Sequence, residues 1–185
     1  MTQLLRLSGM IDRLNSVVGR AVTWLVLVMT VISSGNAVIR YAFNSSSNAW
    51  LEIQWYLFSA VFLLCAGYTL LNNEHIRIDV IAGRFSRRTQ TWIEIIGGVF
   101  FLLPMAVLIL WLSWPIFVSS LVSAEMSSDA GGLIRWPAKV LIPLGFALLS
   151  LQGLSETIKR VAFLMGRIDD PAAAASAGHH GGGHD

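Results

Sequence analysis

The run AVTWLVLVMTVISSGNAVI, residues 21–39, contains no charged side chain. It is close to the ~20 mostly apolar residues that a helix needs to cross the hydrocarbon core of a bilayer. Three further runs, residues 53–71, 92–114 and 138–163, are likewise long and mostly apolar, with charges confined to their ends. Backbone N–H and C=O groups find no water in hydrocarbon, so each run is expected to close its hydrogen bonds internally as a helix. No alternating ten-residue segments point to a barrel. The fold class expected is an all-α membrane protein with four transmembrane helices.

Composition agrees with this reading. The 185 residues are 55% hydrophobic and 13% charged, against about 25% charged in an average soluble domain. Mean hydropathy is +0.64 and the sequence pI is about 9.0. In a soluble chain that pI would hint at nucleic acid, but here the basic residues sit between apolar runs, where they set orientation. No nucleic-acid partner is expected. Cys65 is the single cysteine, so no intrachain disulfide and no zinc site built on two or four cysteines can form.

Cytoplasmic connections carry the excess of Lys and Arg. Arg6, Arg13 and Arg20 precede the first run, Arg77, Arg84, Arg87 and Arg88 lie between the second and third, and Lys159, Arg160 and Arg167 close the fourth. Only Arg40, Arg135 and Lys139 lie opposite. This asymmetry predicts both termini in the cytoplasm. Trp24, Trp50, Trp55, Trp92, Trp111, Trp114 and Trp136 are read as lying near run ends, as an interfacial aromatic belt requires.

Residues 1–20 place Leu4, Leu7, Ile11, Leu14 and Val18 at three- and four-residue spacing, with Arg6, Arg13 and Arg20 on another face. This pattern predicts an amphipathic helix on the cytoplasmic membrane surface; an extension of the first spanning helix would carry the same pattern. No short apolar core closed by a small-residue cleavage site precedes the first span, so that span is expected to stay as an anchor. Residues 21–166 are expected to form the four-helix domain, and the Ala-, Gly- and His-rich residues 167–185 a disordered cytoplasmic tail. Gly-spaced His179, His180 and His184 make a poorly organised metal site, and none is assigned.

Glu52, Glu94 and Glu156 lie near span ends, whereas Ser33, Ser34, Asn36, Ser59, Ser150 and Gln152 lie within spans. Such small polar residues are read as interhelical hydrogen bonding or close packing rather than a transport pathway through this chain alone. No catalytic residue and no cofactor is expected. A four-helix redox anchor holding haem is the alternative, but His75 is the sole histidine outside the tail and falls in a connection. The segment NNEHIRIDVIAGRFSRR, residues 72–88, alternates His75, Arg77 and Asp79 with Ile76, Ile78 and Val80. It is read as a segment facing lipid headgroups and a partner rather than as an acid–base site.

Three segments carry a family resemblance: RYAFNSSSNAWLEIQWYLF (40–58), YTLLNNEHIRIDVI (68–81) and AEMSSDAGGLIRWPAKVLIPLGFALLSLQGLSETIKR (124–160). The chain resembles the small DctQ-type membrane subunit of tripartite ATP-independent periplasmic (TRAP) transporters. The resemblance implies a sodium-coupled importer of organic acids or related solutes in the bacterial inner membrane. In it a DctP-type periplasmic substrate-binding protein delivers solute to a large DctM-type membrane subunit, and the small subunit serves as a fixed scaffold without catalytic residues. Carried onto this sequence, the implied interface positions are Arg40 and Glu52 at the first outside connection, which are candidates to pair with each other or with the large subunit. Glu74, His75, Arg77 and Asp79 fall at the inside connection. Glu125, Gly131, Gly132, Trp136 and Lys139 fall at the second outside connection, which the resemblance makes a candidate contact for the binding protein. Loop solvation and belt anchoring are the competing explanations for these positions.

Overall fold

The computed structural model of the chain describes residues 2–44, 47–72 and 85–169. They form helices α1 (Thr2–Phe43), α2 (Asn48–Leu64), α3 (Ala66–Leu71), α4 (Arg87–Gly97), a π-helical turn (Gly98–Leu102), α5 (Leu103–Val122) and α6 (Trp136–Leu164). Taken as rods, Thr2–Phe43, Asn48–Leu71, Arg87–Val122 and Trp136–Leu164 are the four helices long and apolar enough to cross a membrane. No strand occurs among the described residues, only an isolated antiparallel bridge between Met126 and Ile134.

Two rods are assembled from adjoining helices, and backbone chemistry explains how. The Cys65 amide bonds to Val61 O at 3.1 Å and Thr69 N to Cys65 O at 2.8 Å, so the ladder runs on from α2 into α3. In the third rod Pro104 lacks an N–H, and its ring presses on the carbonyl one turn earlier. The ladder widens just before it: the Leu103 amide bonds to Gly98 O, five residues back, a π-bulge of the kind that relieves such crowding. Pro137 sits in the first turn of α6, where its missing donor costs nothing, while Pro143 is accommodated inside the same helix.

Residues 2–20 and the first span form one uninterrupted helix of 42 residues, about 63 Å long at 1.5 Å per residue. That is roughly twice the ~30 Å hydrocarbon thickness, so the helix projects beyond the bilayer. Leu4, Leu7 and Leu14 are exposed, as are Arg6, Arg13 and Arg20. The buried seam runs Ser8, Ile11, Asn15, Gly19, Val22.

Helix α6 is the hub, packing against α1, α2, α3, α4, the π turn and α5. The rod Arg87–Val122 leans on α6 and leaves Phe101, Leu108, Trp111, Leu112 and Ile116 exposed. Most large apolar side chains point outward, and the interior holds Ile11, Val22, Leu149 and three alanines, Ala60, Ala106 and Ala162, together with Asn15, Gln152, Ser155 and Glu156. This inversion suits a chain surrounded by lipid, where burying leucine gains little and close backbone approach gains dispersion and interhelical hydrogen bonds. Two glycines make the approach possible: a Cβ on Gly145 would meet Leu63 O at 2.7 Å, and one on Gly67 would meet Asn15 Oδ1 at 2.2 Å.

Candidate functional site

The buried polar residues gather at opposite ends of the bundle. At the end bearing the described termini, Ser8, Asp12 and Asn15 project from α1 at four- and three-residue spacing, one helical face. Opposite them α6 presents Gln152, Ser155, Glu156 and Lys159 at the same spacing. Ser155 Oγ donates to Asp12 Oδ1 at 2.6 Å and lies 2.7 Å from Ser8 Oγ. Asn15 Nδ2 donates to Gln152 Oε1 at 3.0 Å, and Gln152 Nε2 donates to Asp12 Oδ1 at 2.9 Å and Glu156 Oε1 at 3.1 Å.

Charge pairing completes this clasp. Lys159 Nζ bonds to Asp12 Oδ2 at 3.0 Å and also pairs with Glu156. Arg160 reaches Glu156 at 3.3 Å and, through Nε, Glu94 of α4 at 2.7 Å. Asn15, Gln152, Ser155 and Glu156 are nearly or wholly inaccessible. Buried carboxylates persist only when paired and hydrogen-bonded, and here each has its cation. The clasp thus ties α1, α4 and α6 together. An apolar-walled cavity of about 660 Å³ adjoins it, meeting Glu94, Glu156 and Arg160 at one end.

At the other end, residues 123–135 fold back on themselves. Ser127 N donates to Leu133 O at 2.9 Å and Arg135 N to Glu125 O at 2.8 Å. The Glu52 carboxylate holds both arms of the turn, accepting from Ser127 Oγ and, at 2.6 Å, from Leu133 N. Tyr56 donates to Ile134 O at 3.2 Å and Asn48 to Ala130 O at 3.0 Å. Gly131 has φ +72, and a Cβ on Gly132 would come within 2.7 Å of Glu52 Oε1. The glycine pair is required here by backbone conformation and by space. Glu125 pairs with Lys139 and lies 3.8 Å from Arg135. The Lys139 hydrogen bond is the chief reason the Glu125 carboxyl titrates below its ordinary value.

The sequence-derived positions divide accordingly. Glu52, Glu125, Gly131, Gly132 and Lys139 come together around the turn, and Trp136 opens the helix that follows it. Arg40 lies exposed near the end of α1, and among the described residues no ion pair joins it to Glu52. Glu74, His75, Arg77 and Asp79 lie outside the described residues. The clasp was missed as a unit. Its signal was present in two matching polar stripes, Ser8–Asp12–Asn15 and Gln152–Ser155–Lys159, but nothing in a sequence says that stripes 137 to 147 residues apart face each other. Among the described residues no group of three or more His, Cys, Asp or Glu side chains is placed to hold a metal ion.

With this geometry in view, comparison with known families gives one match: the family described as tripartite ATP-independent periplasmic transporters, DctQ component, over residues 29–163. No curated protein and no solved structure matches the chain. The matched stretch contains the whole outer turn and its Glu52 anchor, whereas Ser8, Asp12 and Asn15 of the clasp precede it.

Proposed function

We propose that this chain, which belongs to the DctQ component family of tripartite ATP-independent periplasmic transporters, is the fixed scaffold on which the large DctM-type subunit of its transporter works. It is a multi-pass membrane protein and a transporter component. The observation that carries the scaffold role is where the polar groups go. Among the described residues, Asp12, Glu94, Glu156, Lys159 and Arg160 at one end and Glu52, Glu125 and Lys139 at the other bind within this chain and hold its own helices in place. A protein that moved solute itself would need such groups facing a pathway.

In the account proposed, both termini and the Asp12–Lys159 clasp lie on the cytoplasmic side, in keeping with the distribution of Lys and Arg. The Glu52-anchored turn then faces the periplasm, where a DctP-type binding protein docks with its solute. The large subunit carries the substrate and sodium sites and imports organic acids or related solutes. Glu74, His75, Arg77 and Asp79 organise the inner connection against headgroups or the large subunit.

The experiment is a mild-detergent pull-down of the chain from its native membrane, with mass identification of what remains bound. A large polytopic subunit is the expected companion. A lone chain, or one holding haem or a soluble redox partner, contradicts the scaffold reading.

A further inference from the structure

The cavity of about 660 Å³ beside the clasp is sorted by polarity along its length. It lies between α3, α6 and the part of the third rod that holds the π turn. Glu94, Glu156 and Arg160 form a charged rim, and Phe101, Leu102 and Met105 carry an apolar wall away from it. Glu94 and Met105 are eleven residues apart on one rod, about 16 Å at 1.5 Å per residue. Half of a ~30 Å hydrocarbon core is about 15 Å. The cavity therefore runs from the level of the clasp to the depth of one leaflet.

Small residues hold this space open. A Cβ on Gly97 would meet nothing within 4 Å, and one on Gly98 would come no nearer than 3.5 Å to Thr157 Oγ1. Glycine in a helix interior is disfavoured relative to alanine, and neither glycine is needed here for close backbone approach, so both serve to widen the cavity. The rim is withdrawn from water: Glu156 is 3% exposed, and the side chains of Arg160 and Glu94 are 12% and 24% exposed. It carries both signs, with Arg160 set between the two carboxylates.

A rim of both signs over an apolar wall is complementary to one kind of amphiphile. A purely anionic headgroup would set its charge against Glu94 and Glu156, and a choline headgroup has no N–H to donate. A primary ammonium offers three donors to carboxylates that each accept several bonds, and the phosphate beside it suits the planar guanidinium of Arg160. We infer that the cavity binds one phospholipid of the leaflet at the clasp, with a phosphoethanolamine headgroup at Glu94, Glu156 and Arg160 and an acyl chain along Phe101, Leu102 and Met105. The lipid then bridges α3, α4 and α6 where the helices leave a gap. This inference needs only that the chain spans a membrane and is independent of the scaffold reading.

The test is native mass spectrometry of the full chain released from nanodiscs of equal parts phosphatidylethanolamine and phosphatidylglycerol. The expected result is one phosphatidylethanolamine that stays bound under activation that strips all other lipid. Gly97→Leu, which fills the cavity with an isobutyl group, is expected to lose that adduct, and Gly35→Leu, on α1 with nothing within 4 Å of its Cβ position, to keep it. Glu94→Gln is expected to retain one lipid while losing the preference for phosphatidylethanolamine over phosphatidylglycerol, a readout that does not depend on the Gly97→Leu chain folding. No lipid held beyond the others, equal retention by Gly97→Leu, or retained phosphatidylglycerol in the natural chain overturns the assignment.

Discussion

Ser155 Oγ lies 2.6 Å from Asp12 Oδ1, joining residues 143 positions apart and fixing the first turns of α1 to the last turns of α6. The same carboxylate accepts from Gln152 and Lys159. Asp12→Ala should therefore take one acceptor from three donors at once, leaving Gln152 and Lys159 with Glu156 and Ser155 with Ser8. Hydrogen bonds to a charged group contribute roughly 1.5–3 kcal/mol each and the retained partners offset part of the loss, so a drop of a few degrees in the midpoint of thermal unfolding in detergent is expected, with Asp12→Asn milder because one acceptor oxygen remains. Equal stability of Asp12→Ala and the natural chain would show that the clasp does not hold the helix.

Close backbone approach makes a second, sharper prediction. Gly145→Ala places a Cβ 2.7 Å from the carbonyl oxygen of Leu63, a backbone atom that cannot rotate away. Overpacking of this sort costs about 1–3 kcal/mol. Gly9 has nothing within 4 Å of its would-be Cβ, and Gly9→Ala should be neutral or gain about 0.5–1 kcal/mol from helix propensity. The pair measured side by side in one detergent separates the packing effect from propensity.

At the outer end, Glu52 accepts from one arm of the turn through Ser127 and from the other through Leu133 N. Glu52→Ala should free residues 123–135 while the four rods remain folded. Limited proteolysis on the outer face should cut this connection faster in Glu52→Ala, with unchanged far-ultraviolet circular dichroism. Protection equal to that of the natural chain would mean that the turn is held by other bonds.

Acid should act on the same turn through Glu125. Its folded carboxyl titrates below the ordinary glutamate value, first because of the Lys139 hydrogen bond. A lowered folded pKa favours the ionised, folded form. The stabilisation is thus complete above the ordinary glutamate range and is lost as pH falls through the lowered folded value. Proteolysis of residues 123–135 should accelerate only below the usual carboxylate range, and Glu125→Gln should reduce that acid step, leaving the share of Glu52, whose carboxyl the Ser127 and Leu133 hydrogen bonds also hold low. Lys139→Met should move the step toward higher pH.

The four rods were legible because apolar length is a local property, and the Lys and Arg in the connections were legible for the same reason. Gly131 and Gly132 stood out as positions of the second outside connection, yet only the structure shows that Glu52 Oε1 occupies the space a Gly132 side chain would take. Asp12 and Lys159 were hidden in plain view. Each is an ordinary charged residue on a helix, and their 3.0 Å contact depends on the packing of the first rod against the fourth. The stripe Leu4, Leu7, Ile11, Leu14 and Val18 reads as one membrane-facing side, but the structure divides it: Leu4, Leu7 and Leu14 lie outward, whereas Ile11 joins Ser8 and Asn15 in the interior. Hydropathy thus picked out the four rods but not the residues that pack between them.

The scaffold role is tested most directly by transport. The large subunit, reconstituted in liposomes with its periplasmic binding protein and an organic acid which that protein retains, is assayed for sodium-driven uptake with and without this chain. The account predicts uptake only when this chain accompanies the other two components, and none from the chain alone. Uptake by the chain in isolation, or undiminished uptake when it is omitted, would contradict it.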